Sequence, residues 1–171
     1  MTLYKKLEKI IEAWEQFLTE IETKMQSAIK EILNEIVEEN SIFAIFFEYE
    51  YDIMNLSFFA TDNEENPLLV KQDILSKETN CKTLFPNELL NKQYELVDEY
   101  DGVDENFDEI YDEYTQRKQD IFKKWFKLCW DKVTNKYKKI PNAFFSIHDT
   151  NWKYNLSTNE KIKHSEIFAS R

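Results

Sequence analysis

Three residue types that hydrolases use for nucleophilic catalysis lie close together in the C-terminal part of the chain. Ser146, His148 and Asp149 fall on one predicted strand. Neighbouring strand residues point to opposite faces, and no glycine-containing nucleophile turn surrounds Ser146. The second histidine, His164, is distant in sequence. We therefore predict a structural or surface role for His148 and no catalytic residue.

The residue types that bind metals or cofactors do not form a familiar motif. A single glycine cannot supply the phosphate-binding loops of nucleotide-binding proteins. Cys81 and Cys129 are far apart, are expected to be reduced, and form no zinc set with the two histidines. Aligning Gly102 with a calcium-loop glycine puts Val97 at the first ligand position and Asp108 where Glu is expected. We predict no metal site and no cofactor, and expect Cys129 to be buried among aromatic residues of a helix.

Acidic side chains are concentrated in one segment, residues 93–116, which contains no Lys or Arg. The chain has 33 acidic and 22 basic residues, a net charge of −11. Without the ten acids of this segment, 23 acidic and 22 basic residues would remain. The net charge is therefore a local property. The ten acids are Glu95, Asp98, Glu99, Asp101, Asp104, Glu105, Asp108, Glu109, Asp112 and Glu113.

The spacing of the last six of these acids, from Asp104 to Glu113, predicts an exposed helix face. On a helix that begins at Asp104, they lie opposite Phe107, Ile110 and Tyr111. Their i,i+4 pairs are like-charged and should cost an isolated helix about a few tenths of a kcal/mol each. This cost favours a surface for a basic partner, anchored by Tyr100, Tyr111 or Tyr114, over the alternative of a solvated face. A pI near 4.8 argues against nucleic acid as the partner.

Long helices and short strands must position these side chains. A chain of 171 residues suits a single domain spanning residues 1–171. We predict a helix over about 3–39, a hairpin over 42–61, a short helix over 68–76, a second long helix over 104–139 with Asp104 as its N-cap, a C-terminal hairpin over 143–156 and a polar tail over 157–171. The predicted fold class is α+β, with an antiparallel sheet of about four strands packed against two long helices in the order α-β-β-α-β-β.

The first helix carries a continuous apolar stripe that favours packing on the sheet. Dimerisation through this stripe is the alternative, so both a monomer and a homodimer stay open. A break is expected near residues 23–26. The longest apolar run, Ile42–Phe47, is too short to span a membrane, and a cytoplasmic location is expected.

Several segments together resemble known bacterial domains. The segments F-A-I-F-F-E-Y, L-S-F-F-A-T, F-D-E-I-Y-D-E-Y and F-F-S-I-H-D-T resemble an uncharacterised family of small bacterial α+β domains. The chain is also similar to the immunity proteins that neutralise toxins exchanged between competing bacteria. This resemblance implies a single acidic cytoplasmic domain without a catalytic set.

The leading functional hypothesis is a non-enzymatic inhibitor of the immunity type that binds a basic toxin domain through the nine acids from Asp98 to Glu113, Tyr100 and Tyr111. One alternative is a small enzyme that uses His148, Asp149 or the acids with a divalent ion. Another alternative is an adaptor that dimerises through the N-terminal helix.

Overall fold

A computed structural model describes residues 1–37, 39–75, 83–137 and 139–169. Four helices and six strands occur in this described part of the chain. They are α1 (Leu3–Ile36), β1 (Ala44–Tyr49), β2 (Leu56–Thr61), β3 (Pro67–Ile74), α2 (Asn87–Tyr100), α3 (Phe107–Thr134), β4 (Asn142–Ile147), β5 (Trp152–Asn155), β6 (Lys161–Lys163) and α4 (His164–Ile167).

The strands form one mixed sheet in the order β3-β2-β1-β4-β5-β6. The α+β class is confirmed, but the prediction of four antiparallel strands in the order α-β-β-α-β-β is wrong. The central pair, β1 and β4, runs parallel, with Phe47 opposite Phe145. Every residue of β1 is buried because both faces of the sheet are covered at its centre. Such a strand is a continuous apolar run, and its periodicity does not show how it pairs.

Both predicted hairpins are confirmed. Strands β1 and β2 pair antiparallel, with Phe47 opposite Phe58, and β4 pairs antiparallel with β5, with Phe145 opposite Tyr154. In the tight connection after β1, Met54 adopts a φ of 53° and its N–H donates to the Glu50 carbonyl at 3.0 Å. The two hairpins lie side by side through β1 and β4.

The segment predicted as a short helix over 68–76 is the edge strand β3. Its apolar residues pair with residues of β2, with Leu69 opposite Ala60 and Val70 opposite Phe59. Pro67 takes the first strand position, where a missing N–H is tolerated. Pairing with a neighbouring strand therefore outweighs the local pattern. Residues 76–82, including the predicted reduced thiol of Cys81, lie outside the described residues.

Helix α1 runs without a break from Leu3 to Ile36, so the break expected near residues 23–26 is wrong. Met25 lies in that polar stretch and is fully buried, which anchors the helix there. The predicted apolar stripe is buried in the chain's own core around Trp14, which contacts Phe85 and Phe122. This burial removes the observation on which dimerisation through the stripe rested.

Helix α3 has different bounds from those predicted, and helix α2 covers fourteen residues before it. Helix α3 begins at Phe107 rather than residue 104 and ends at Thr134 rather than 139. The N-cap is Asn106, so the prediction of Asp104 as N-cap is wrong. The Asp104 carboxylate instead accepts a hydrogen bond from the Asn106 N–H at 3.0 Å.

The two faces of the sheet have separate apolar cores. Helices α1, α2 and α3 cover one face, where Phe126 stacks on Phe145 at 4.5 Å between ring centroids. The opposite face carries a smaller core in which Phe168, just after α4, packs on Phe46. The prediction of a polar tail over 157–171 is therefore wrong, because this segment forms β6 and α4 and buries Ile167 and Phe168.

Candidate partner-binding surface

The acidic residues lie at the end of the molecule where α2 stops and α3 starts. Glu95, Asp98 and Glu99 are on the second half of α2; Asp101, Asp104 and Glu105 are in the connection 101–106; and Asp108, Glu109, Asp112 and Glu113 are on the first turns of α3. We call this surface the acidic end. Four of the six acids predicted on one helix face lie on α3, whereas Asp104 and Glu105 precede it because the helix begins at Phe107.

The charge of the acidic end is largely uncompensated. Asp104 is half-buried and the other nine acids are exposed. Glu99 forms an ion pair with Lys6 of α1 at 2.7 Å, and this hydrogen bond lowers the pKa of Glu99 and raises the pKa of Lys6. Within the described ranges, the remaining nine carboxylates form no ion pair. The surface therefore presents negative charge that no neighbouring side chain neutralises.

The dipoles of α3 and α2 have opposite effects on the acids near them. Asp108 and Glu109 lie in the first turn of α3, where the positive end of the helix dipole stabilises them. Asp98 and Glu99 lie in the last turn of α2, which contains no basic residue and is the negative end. The helix dipoles thus favour Asp108 and Glu109 and oppose Asp98 and Glu99.

The tyrosines predicted as anchors differ in exposure. Tyr100 is half-buried, with the Lys6 ammonium 4.8 Å from its ring centroid. Tyr111 is half-buried and stacks on Phe107 at 5.3 Å. Tyr114 is buried and its hydroxyl donates to Gln93 Oε1 at 2.9 Å. The prediction of Tyr114 as an exposed anchor is wrong, because it lies on the core face of α3.

Two further tyrosines lie beside the acidic end and were missed in the sequence. Burial raises the pKa of Tyr111 to about 12, with smaller contributions from Asp52, Tyr51 and Tyr94. Tyr51 and Tyr94 are exposed. Tyr51 follows β1 and Tyr94 lies on α2, so only the packing of the sheet against the helices brings them to Tyr111. Tyrosine is enriched at protein interfaces.

A buried lysine supports this surface from inside. Lys118 of α3 is only 1% exposed, and its Nζ donates to Gln93 Oε1 at 3.0 Å and to the Asp52 carbonyl at 3.3 Å. The ammonium also lies 4.7 Å from the ring centroid of Phe85. Burial lowers the pKa of Lys118 to about 8. Position 118 falls four residues after Tyr114 on the apolar face, a sequence signal that could have identified it.

The residues considered for catalysis do not come together as a triad. Ser146 Oγ lies 3.3 Å from Glu48 Oε1 and accepts a hydrogen bond from Lys153 Nζ at 3.1 Å, and all three residues are buried. Lys153 and Glu48 also form an ion pair. His148 is exposed and pairs with Asp149 at 3.1 Å. Ser146 therefore belongs to a buried ionic network.

Three further findings on the described part of the chain concern metal ligands, the Cys129 thiol and membrane-spanning helices. No three His, Cys, Asp or Glu side chains in it converge on a position that could hold a metal ion. The burial predicted for Cys129 is confirmed, and that burial raises the pKa of its thiol to about 12. None of the described helices is both long and apolar enough to cross a membrane.

The fold and the surface together define a small α+β domain with three helices on one face of a mixed sheet and an acidic end. Comparisons with protein-family models, curated proteins and solved structures find no match to this chain.

Proposed function

We propose that this protein is a non-enzymatic inhibitor of the immunity type, which binds a basic toxin domain through its acidic end. One observation carries the proposal: nine neighbouring carboxylates of the acidic end form no ion pair within the described residues. Such a field accelerates the approach of a positively charged partner. Binding would neutralise the repulsion that the free protein tolerates.

The positions of the acids support a role in binding rather than in stability. Asp98 at the negative end of α2 opposes the helix dipole, and Asp108 and Asp112 repel each other one turn apart. Mixed charges would keep the surface hydrated without these costs. A basic partner explains why one sign of charge dominates.

The tyrosines beside the acids supply the contact area that charge alone lacks. Exposed charges mainly affect association rates, whereas aromatic side chains provide most of the affinity at an interface. Tyr51 and Tyr94 are exposed, and Tyr111 is half-buried and stacks on Phe107. We assign the anchoring contacts to these three tyrosines and the outer contacts to the acids.

The proposal requires a basic toxin domain encoded beside this gene, and the test measures the association rate of that domain by stopped flow over a range of salt concentrations. The variant D98K/D101K/D108K/D112K reverses four acids of the acidic end. Its control, E12K/E31K/E64K/E160K, reverses four exposed acids elsewhere and has the same net charge. We expect the first variant to associate at least about tenfold more slowly and the control to stay near the wild-type rate. Equal rates for both variants would refute the role of the acidic end.

A further inference from the structure

A cleft of about 230 Å³ opens between α3 and the strands β4 and β5. Gln116, Gln119, Asp120 and Lys123 line it from α3, and β5 lines it opposite with Trp152 and Tyr154. The cleft begins one helical turn beyond Asp112 and is lined by a different set of residues from the acidic end.

The aromatic side of the cleft contains an exposed indole. Trp152 is 51% exposed, whereas Trp14, Trp125 and Trp130 are buried. Trp152 lines the cleft, and the Lys163 ammonium, 5.5 Å from its ring centroid, belongs to a residue that does not. An exposed indole in the wall of a cleft can stack on a ligand.

The helical side of the cleft carries an amide that can bind a ligand. Gln119 is 9% exposed and lines the cleft, and its side chain forms no hydrogen bond to any described residue. The amide atoms are not fully buried, so they can donate to and accept from a ligand in the cleft. Burial raises the pKa of Asp120, but hydrogen bonds from Lys123 and Gln116 outweigh it and hold the pKa below its usual value. Asp120 and Lys123 thus neutralise each other, 3.1 Å apart.

We propose that this cleft binds a saccharide ring. Ion pairs compensate the charges of Asp120, Lys123 and Lys153, and Lys161, which also lines the cleft, can donate to a ligand hydroxyl. An apolar ligand would leave the Gln119 amide and the Lys161 ammonium without a partner. A nucleobase carries its polar groups only along its edges. A sugar presents C–H groups to the indole face and hydroxyls to the amides of Gln116 and Gln119. The volume is below the about 300–1,000 Å³ of sites for drug-sized ligands, which suits a single ring.

The test is saturation-transfer NMR with glucose, galactose, mannose and N-acetylglucosamine. We expect transfer to the ring C–H protons of at least one sugar. Trp152→Ala and Gln119→Leu should each weaken that binding by about tenfold, and Trp152→Phe should retain most of it. The control Leu128→Ala changes an exposed α3 residue outside the cleft and should bind normally.

Three outcomes would overturn the proposal: no transfer to any of the four sugars, unchanged binding in both Trp152→Ala and Gln119→Leu, or binding of adenosine and uridine in place of sugars. Circular dichroism of each variant separates loss of binding from loss of folding. The variant D98K/D101K/D108K/D112K should bind the sugar normally, so this test and the test of the acidic end fail independently.

Discussion

Lys118 occupies a position where the helical period requires an apolar side chain. Two acceptors, Gln93 Oε1 and the Asp52 carbonyl, receive its protons, and no described carboxylate pairs with it. Burying an ammonium without a counter-ion is costly, which is why its pKa falls from 10.5 to about 8. In return, one side chain connects α2, α3 and the connection after β1. These are the elements that carry Tyr94, Tyr111 and Tyr51.

Replacing Lys118 by Met should change how stability depends on pH. Between pH 8 and 10.5 the unfolded wild type keeps a proton on Lys118 that the folded protein has lost. The free energy of unfolding of the wild type should therefore rise with pH in this window, by about 3 kcal/mol relative to Lys118→Met. Urea unfolding of both proteins at several pH values measures the difference.

The raised pKa values of Tyr49 and Tyr114 act in the opposite direction, because burial keeps these hydroxyls protonated in the folded state. They are present in both proteins and cancel in the comparison. A difference between wild type and Lys118→Met that stays constant from pH 7 to about 11 would contradict the assignment.

At the scale of elements, α3 connects the two hairpins to the helical layer. Phe126 stacks on Phe145 of β4 and contacts Phe47 of β1 at 4.9 Å, so it covers the parallel junction of the sheet. Leu128, two residues further along the helix, points to solvent. Two side chains only two residues apart on one helix are therefore expected to contribute very differently to the free energy of unfolding.

Phe126→Ala should lower the free energy of unfolding by about 3–5 kcal/mol, because it leaves a cavity above the central strands. Leu128→Ala should change it by less than about 0.5 kcal/mol. Chemical unfolding followed by tryptophan fluorescence measures both. Similar losses for the two variants would mean that α3 packs on the sheet through another face.

At the scale of the whole molecule, charge is separated along α3. Its first turns carry Asp108, Glu109, Asp112 and Glu113, and Lys132 lies in its last turn. Helix α1 runs alongside in the same direction, with ion pairs from Glu8 to Arg117 and from Glu22 to Lys132. Negative charge is therefore concentrated at the end of the molecule where α3 begins, and such a distribution orients the molecule in the field of a charged partner.

Salt should stabilise the free protein by screening the acidic end. Raising ionic strength from about 0.01 M to 1 M shortens the Debye length from about 30 Å to 3 Å. We expect the Tm of the wild type and of E12K/E31K/E64K/E160K to rise over this range. The rise should be smaller in D98K/D101K/D108K/D112K, where the repulsion is already relieved. Differential scanning calorimetry would contradict the idea by showing the same rise in all three.

The sequence predicted elements with strong periodicity and missed those that depend on distant partners. Helix α1 and the strands β1, β2, β4 and β5 follow from their own residues, because helical and strand periods are local properties. Strand β3 was missed because it forms only by pairing with β2. Helix α4 was missed because four residues carry too little pattern, although Phe168 beside it packs on Phe46.

The acids of the candidate surface were found from the sequence because the charge of a side chain follows directly from its residue type. The neighbouring tyrosines were not found, since Tyr51 and Tyr94 are 43 positions apart and only packing brings them to Tyr111. The cleft lined by Gln119 and Trp152 was missed for the same reason. Its two sides come from a helix and a strand more than thirty residues apart.

By itself, the sequence determined the α+β class, the two hairpins and the concentration of negative charge in one segment. These properties depend on residue types and on short-range periods. Only the tertiary structure decided that β1 and β4 pair in parallel, that the acids surround a junction between two helices, and that Lys118 supports this junction. Such properties arise because burial and pairing join residues distant in the chain, and no local pattern specifies which partner a buried face will meet.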